Sequence, residues 1–365
     1  MTRTGRTRRI AAAVSGVALA LAGLLPASGA TAGNGADDRG HRSPGVTTQL
    51  AWTRFIDDDR SGARIVVGDQ DGRHVREITS SPSGVYDLNP QISPDGRWIA
   101  FERVTPTSYG LVLVRSDGSR EEPLDLGCTW PCDAEFVPMW DTDGHHLFFS
   151  RAYGPYDEHG NAAAAPLFRA DLRTLEVERV SSPDIDGVHE DAMVSVTPDG
   201  ATLVFLRLGP PLRPGGPPSV AVHRMNRDGS DLRRLTPWEL GGDHPKMSPA
   251  RSGPGKGLVV FETHGTGDAP EGEVPVVATV PVDCRPVAQC ERRIRYLTSP
   301  TAAPIVYLNP DWSPDGRRIV AFRSDRSTGA ADLWTMRWDG RDKRRLTTSP
   351  LFEMRPDWGA APSRP

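Results

Sequence analysis

The chain has 365 residues, more than the 100 to 200 or so of a usual single domain, and it carries 43 basic and 47 acidic residues. The formal net charge is therefore −4. A net acidic chain without a basic cluster excludes the electrostatic footprint of a nucleic-acid-binding protein. We predict no nucleic-acid partner.

The first 32 residues are predicted to be a secretory signal peptide. Arginines between Arg3 and Arg9 precede an apolar run over residues 10–25, and small residues follow it up to Ala32. This order of basic, apolar and small-residue segments is that of a cleaved signal, and the run is short for a membrane span of about 20 residues. We expect a secreted protein, extracellular, periplasmic or in the cell envelope, with no transmembrane span after cleavage. An adjacent arginine pair leaves the twin-arginine route open beside the general one.

The mature chain is predicted to begin with a flexible leader. Residues 33–46 are rich in Gly, Asp, Arg and Ser and have hardly any apolar side chains. Such a segment buries too little surface to offset the entropy of ordering. The folded part is expected over residues 47–360, and residues 361–365 form a tail.

A short pattern recurs along residues 47–360. In its clearest copy, residues 309–322, a Ser-Pro-Asp-Gly turn follows Trp312 and an apolar strand ends at Phe322. Proline presets φ and glycine accepts a positive φ, so the chain reverses there. A third apolar strand, an Asp-Gly turn at Gly340 and a basic strand follow. One copy is therefore predicted to be a four-stranded antiparallel meander.

The two ends of the chain complete each other. Residues 50–79 supply strands two to four of a copy, and residues 355–359 supply only a first strand. If the array is a ring, the C-terminal strand completes the N-terminal blade and leaves no open sheet edge. The predicted fold class is all-β: a six-bladed β-propeller with blades of four antiparallel strands, closed by that C-terminal strand.

The repeats also resemble a known family. The SPDG turn followed by an apolar strand ending in Phe, and the later DG turn followed by RRLT, resemble the propeller repeats of the TolB family. The resemblance covers about residues 47–359. It implies the propeller portion only, since proteins of the TolB type carry a small α/β domain before the propeller, for which we expect no room here.

The four cysteines fall in two local pairs, Cys128 with Cys132 and Cys284 with Cys290. An even number of cysteines suits disulfides in an exported protein. Metal binding by thiolates is the alternative, but the two pairs belong to different repeat units. We predict two local disulfides whose role is to pin long connections.

Candidate binding residues are predicted at the mouth of the central channel. The connections between blades are long and varied, and loops on a rigid scaffold carry most binding groups. Because each of these loops precedes an innermost strand, their last residues should point to the channel. The predicted ligand-binding residues are Tyr86, Asp87, Glu135, His189, Glu190, Asp191, Asp243, His244, Tyr307, Asn309, Glu353 and Arg355. Such a mouth suits a polar or cationic ligand; the alternative is that these residues cap strands and keep the channel hydrated.

Two functions are compatible with this mouth. The favoured one is a secreted, monomeric, non-enzymatic scaffold that binds a protein, peptide or glycan, with no cofactor and no catalytic residue. The alternative is a metal-assisted polysaccharide lyase or hydrolase. Its metal ligands would be His189, Asp191, Asp243 and His244, a mixed set of nitrogen and oxygen donors. The sequence has no Gly-x-Ser-x-Gly motif, which argues against a serine hydrolase.

Overall fold

The computed structural model describes residues 47–156, 162–182, 190–214, 216, 218–264, 275–299 and 304–362. The predicted signal peptide (1–32) and leader (33–46) lie outside these residues, as do residues 363–365 of the predicted tail. The described part is nearly all β-strand.

In chain order the strands are β1 (Thr48–Phe55), β2 (Ala63–Asp69), β3 (Arg76–Glu77), β4 (Tyr86–Ile92), β5 (Trp98–Val104), β6 (Tyr109–Arg115), β7 (Glu121–Pro123), β8 (Cys132–Trp140), β9 (His146–Tyr156), β10 (Ala162–Ala164), β11 (Leu167–Asp171), β12 (Val177–Arg179), β13 (Asp191–Val196), β14 (Thr202–Gly209), β15 (Ser219–Asn226), β16 (Arg233–Arg234), β17 (Gly242–Met247), β18 (Leu258–Thr263), β19 (Val276–Pro281), β20 (Arg295–Tyr296), β21 (Ile305–Trp312), β22 (Arg318–Asp325), β23 (Ala330–Arg337), β24 (Arg344–Arg345) and β25 (Glu353–Ala360). A 3-10 turn (Trp238–Leu240) and a short helix, α1 (Val287–Glu291), interrupt them.

These strands pair as antiparallel meanders, as the repeats predicted. The four-stranded units are β25-β1-β2-β3, β4-β5-β6-β7, β8-β9-β11-β12, β13-β14-β15-β16, β17-β18-β19-β20 and β21-β22-β23-β24. The short strand β10 is added to β9, and a single parallel contact between Ala63 and Tyr86 joins the first two units. The last strand, β25, pairs with β1 so that Arg54 lies opposite Glu353. The all-β, antiparallel prediction is confirmed.

The Ser-Pro-Asp-Gly turns are stabilised by their own side chains. The hydroxyl of Ser313 donates to Asp315 Oδ1 (2.7 Å) and accepts the backbone N–H of Arg318 (2.9 Å). Gly316 takes a φ of 65°, which favours glycine. The motif therefore closes the turn through side-chain bonds as well as backbone conformation. Equivalent hydrogen bonds form in the turns of residues 93–96 and 197–200.

The core is divided among clusters that lie between neighbouring units. Phe101 and Ile65, both fully buried, belong to one cluster that joins the first two units. Another joins Trp52 of β1 to Phe322 of β22. Buried carboxylates add hydrogen bonds between units: Asp311 Oδ2 accepts the N–H of Trp358 at 2.8 Å. Apolar burial holds the units together, and these bonds satisfy backbone groups that would be costly to leave unpaired.

Both predicted cysteine pairs stand at disulfide distance, with S–S separations of 1.94 Å for Cys128–Cys132 and 2.15 Å for Cys284–Cys290. Cys132 begins β8 and Cys290 lies in α1, so each bridge fastens a connecting segment to regular structure.

Among the described residues, no helix combines the length and the apolar character that a membrane crossing requires.

Close packing of a turn on β25 gives a first prediction. A Cβ at Gly96, whose φ is 74°, would lie 2.4 Å from the carbonyl oxygen of Ala360. At Gly229 the φ is 82° but a Cβ would meet nothing within 4 Å. We expect Gly229→Ala to cost about 1 kcal/mol from backbone strain alone, and Gly96→Ala to cost about 1–3 kcal/mol more from overpacking. Urea unfolding of the two variants measures this, and equal losses would contradict the close contact.

Candidate functional site at the inner strands

The first strand of every unit carries the same irregularity. In these strands, β4, β8, β13, β17, β21 and β25, which we call the inner strands, the pairing with the adjacent strand shifts register near the middle of the strand, and β8 has a second shift near Cys132. The residues at the shift have φ between 47° and 54°. They are Asn89, Val137, Met193, His244, Asn309 and Arg355. Positive φ is uncommon outside glycine, and a bulge redirects a side chain. Its recurrence indicates that the fold requires it.

The bulge residues line one cavity of about 40 Å³, which we call the inner-strand cavity. The rest of its wall is formed by Gln91, Met139, Pro245, Lys246, Pro310 and Pro356. A space of this size holds a few water molecules or the tip of a ligand group, since one water needs about 10–15 Å³. Amide, imidazole, ammonium and guanidinium groups therefore meet in a small space.

Four of the predicted site residues lie two positions before a bulge and are buried in ion pairs. Each carboxylate faces an arginine of the adjacent strand, at 2.6–2.7 Å. The pairs are Asp87–Arg103, Glu135–Arg151, Asp191–Arg207 and Glu353–Arg54. Each arginine also lies over the aromatic ring two residues before it. Because a buried carboxylate needs a cationic partner, these carboxylates are held by arginine, and they are not among the residues that line the cavity.

The remaining predicted residues occupy varied places. Tyr307 holds the position two residues before the bulge in β21, bonds Arg323 and packs edge-on against Trp334. Tyr86 is half-buried and packs against the cluster that contains Trp52. His189 lies outside the described residues.

Strand β17 departs from the pattern of the other inner strands. Where they carry a carboxylate or tyrosine facing arginine, β17 has Gly242 facing Thr263. One position later it has Asp243, which faces Glu262. The other inner strands are apolar at that position, with Leu88, Phe136, Ala192, Leu308 and Met354. The charged groups of this unit are therefore shifted one residue towards the bulge.

Two histidines meet these two carboxylates. His244 Nδ1 lies 3.1 Å from Asp243 Oδ1 and 3.0 Å from Glu262 Oε1. His264 Nε2 lies 2.8 Å from Glu262 Oε1 and 3.5 Å from Asp243 Oδ2. One donor atom from each of the four residues lies within 4.8 Å of the others. We call Asp243, His244, Glu262 and His264 the β17–β18 cluster.

Opposite charges perturb every group of this cluster. Burial lowers the pKa of the histidines, but the two carboxylates outweigh it and raise the pKa of His244 to about 9 and that of His264 to about 10. Burial raises the pKa of Glu262, yet the two histidines bring it down to about 2. Without a bound cation, the cluster at neutral pH is a network of imidazolium and carboxylate groups.

Glu190, another predicted site residue, lies beside the cluster. Burial, followed by the negative charges of Asp243 and Asp191, raises the pKa of Glu190 to about 7. Asn309 adjoins the cluster too, because its backbone N–H donates to Glu262 Oε2. The structure thus brings Glu190, Asp243, His244 and Asn309 together. It holds Asp191 on Arg207 through both carboxylate oxygens.

The sequence analysis missed Glu262 and His264, because it considered the connections before the inner strands and not the strands adjacent to them. The signal was present in Phe261-Glu262-Thr263-His264. In four other units an aromatic residue is followed two positions later by the arginine of the ion pair; these are Trp52 with Arg54, Phe101 with Arg103, Phe149 with Arg151 and Phe205 with Arg207. The replacement of arginine by Thr263 marks this unit as different.

The buried ion pairs give a second prediction. Arg207→Ala leaves Asp191 buried without its partner and should cost about 3–5 kcal/mol of unfolding free energy. The matched control is Arg97→Ala, which removes an exposed pair with Asp95 and should cost about 0–1 kcal/mol. Chemical denaturation of both variants tests this. If Arg207→Ala loses no more unfolding free energy than Arg97→Ala, the prediction that Asp191 is buried against Arg207 is wrong.

No family model matches the chain. Tol-Pal system protein TolB 1 of Novosphingobium aromaticivorans is 44% identical to it over 50 residues, which are 14% of this chain and 11% of that protein. The chain therefore matches only about a tenth of the length of that relative.

Solved structures resemble the chain over most of its length. TolB from Acinetobacter baumannii has a TM-score of 0.62 at 20% identity, over 86% of this chain and 66% of that chain. An oligogalacturonate lyase in complex with manganese has a TM-score of 0.50 at 16% identity, over 84% of this chain and 75% of that chain. At these identities the likeness is one of fold. The predicted resemblance to the TolB propeller is confirmed.

Proposed function

We propose that this TolB-like chain is a secreted, six-bladed propeller that serves as a non-enzymatic scaffold and binds a protein, peptide or glycan at the inner-strand cavity. The proposal has three parts, which are the closed ring, the secretion and the ligand site. Residues 47–360 would form the propeller, after a signal peptide and a leader.

Contacts between the two ends of the repeat array support ring closure. Strand β25 pairs with β1 in the first unit. The last unit packs on the first through the cluster that contains Trp52 and Phe322, and Asp311 accepts a hydrogen bond from Trp358. With the units defined above, this arrangement would make six blades without an open edge at the seam.

Two features support secretion. The pattern of residues 1–32 is that of a signal peptide. The cysteine pairs Cys128–Cys132 and Cys284–Cys290 stand at bonding distance, and disulfides persist in oxidising compartments outside the cytosol.

The observation that carries the ligand site is the repeated bulge. It places a side chain from each inner strand in the wall of the same cavity. Asn89, Gln91 and Asn309 offer amide donors and acceptors there, and His244, Lys246 and Arg355 add donors. These groups line the cavity and bond to one another, as Lys246 does to Gln91 Oε1 and Arg355 to Asn89 Oδ1, and a polar ligand end would exchange such bonds for its own.

A third prediction tests this site. Asn309→Gly removes the side chain but keeps a residue that tolerates a φ of 48°. The control is His74→Gly, at an exposed turn residue with a φ of 53°. Peptide and glycan arrays probed with the purified protein should identify a ligand, and Asn309→Gly should weaken its binding by about tenfold, the value of one hydrogen bond. His74→Gly should leave binding unchanged. An array without ligands, or equal binding by both variants, would refute the proposal.

The alternative function is a metal-assisted polysaccharide lyase or hydrolase, which the β17–β18 cluster favours. Of the predicted ligands, Asp243 and His244 lie in this cluster and Asp191 is paired with Arg207. A lyase named for oligogalacturonate shares the fold. Incubation of the protein with Mn²⁺ and polygalacturonate, followed by the ultraviolet absorbance of unsaturated sugar ends and by a reducing-sugar assay, tests both reactions. Turnover would replace the scaffold proposal, and no product would leave it standing.

A further inference from the structure

The unit formed by β17 to β20 differs from its neighbours by linked replacements, the first of which is Gly242 in place of the carboxylate or tyrosine that faces the arginine. The arginine of the ion pair is replaced by Thr263, and an apolar residue next to the bulge is replaced by Asp243. Either change alone would remove a favourable contact or bury an unpaired charge. Together with Glu262 and His264, Asp243 builds a charged cluster with His244 in this unit. Such a departure from a repeated pattern indicates a function of this unit that stability does not require.

The cluster concentrates negative charge in a buried place. Asp243 faces Glu262 across the strand pair, and Glu190 lies near Asp243. In four other units an arginine neutralises the carboxylate two positions before the bulge, whereas Thr263, at the arginine position of this unit, is uncharged. Two carboxylates that share one buried site need positive charge beside them to remain ionised together, which the two histidines supply as imidazolium groups and a bound metal ion would supply in their place.

The donor geometry fits a metal ion. The four nitrogen-to-oxygen distances between the histidines and the carboxylates run from 2.8 to 3.5 Å. Ligands at about 2.0–2.2 Å from a tetrahedral ion lie roughly 3.4 Å apart. One donor atom of each of the four residues already lies within 4.8 Å of the others, so these atoms would move closer together to bind one ion. Although His244 Nδ1 is close to both carboxylates, neither of its ring nitrogens has a partner in hydrogen-bonding geometry among the described residues.

Surrounding groups hold the ligands in place. The backbone N–H of Asn309 donates to Glu262 Oε2, which leaves Oε1 directed at the histidines. The backbone N–H of His264 donates to the carbonyl of Gly241 at 3.0 Å, and the N–H of His244 donates to Asp243 Oδ1 at 2.6 Å. Such outer contacts orient metal ligands and tune their affinity.

We propose that Asp243, His244, Glu262 and His264 bind a divalent first-row transition-metal ion of the class of Zn²⁺ or Mn²⁺. Two imidazole nitrogens with two carboxylate oxygens suit such ions, whereas Ca²⁺ and Mg²⁺ take oxygen ligands. His244 also lines the inner-strand cavity, so the ion would lie in the cavity wall. The inference does not depend on the scaffold function, because a metal can be bound with or without a peptide or glycan.

The test measures metal binding by the purified protein, with Zn²⁺ and Mn²⁺ as probes. Titration calorimetry after treatment with a chelator gives the affinity, and elemental analysis gives the stoichiometry. We expect one ion per chain and a rise in the melting temperature when the ion is added. His264→Leu and Asp243→Leu should each weaken binding at least about 100-fold, because even outer-shell changes cost 10–100-fold.

The variants are chosen so that the fold survives. Leucine is the residue that other units carry at these positions, as Leu208 for His264 and as Leu88 and Leu308 for Asp243. Glu262→Gln is a further variant of the same shape, which keeps an acceptor for Asn309 and loses the charge. It should also weaken binding, and it decides the question if a leucine variant fails to fold.

The control is His74→Gly, which removes an exposed histidine that lies beside the single carboxylate of Asp69 in another unit. It should leave affinity unchanged. Absence of stoichiometric Zn²⁺ or Mn²⁺, binding of Ca²⁺ alone, or an equal loss in His74→Gly would overturn the proposal. None of these outcomes bears on the array experiment with Asn309→Gly, so the two proposals fail separately.

Discussion

The bulge in each inner strand is the constraint on which the rest of the structure depends. Where these strands converge, a residue in the left-handed conformation breaks the regular pairing and turns its side chain to the shared cavity. The residues before it have regular roles. In the inner strands other than β17, the position before the bulge is apolar, and the position before that faces an arginine of the adjacent strand. One backbone irregularity thus separates the side chains that line the cavity from those that pair with arginine.

The arginine pairs explain why a row of carboxylates near the cavity does not make an acidic site. Asp87, Glu135, Asp191 and Glu353 are buried, and each is neutralised by its own arginine. Stacking of the arginine on an aromatic ring adds a further contact that desolvation strengthens. Against this background the unit of Asp243 and Glu262 is informative, because its charges are compensated by histidines, and histidine exchanges a proton for a metal ion more readily than arginine does.

Turn chemistry made the fold predictable from the sequence, whereas the site depended on register. The Ser-Pro-Asp-Gly turns bond themselves through Ser313 and Asp315, so their spacing alone reveals the meanders. The prediction also placed His244, Asn309 and Arg355 next to the cavity that they line. The sequence could not separate them from the paired carboxylates two residues earlier, since a one-residue shift in pairing moves side chains to the opposite face of a strand. A proline follows the bulge residue in every inner strand except β13, which is the sequence feature that marks this shift.

His244 belongs both to the cavity wall and to the β17–β18 cluster, so an ion in the cluster and a charged ligand in the cavity would be thermodynamically coupled. A divalent ion would make the wall near His244 more positive, alongside Lys246 and Arg355. A ligand that inserts a carboxylate would then bind more tightly in the presence of the ion. By linkage the ion would bind more tightly in the presence of that ligand, and by the same factor. A neutral ligand end would show no such reciprocity, because it gains little from the added charge. The size of the coupling therefore reports the charge of the group that enters the cavity.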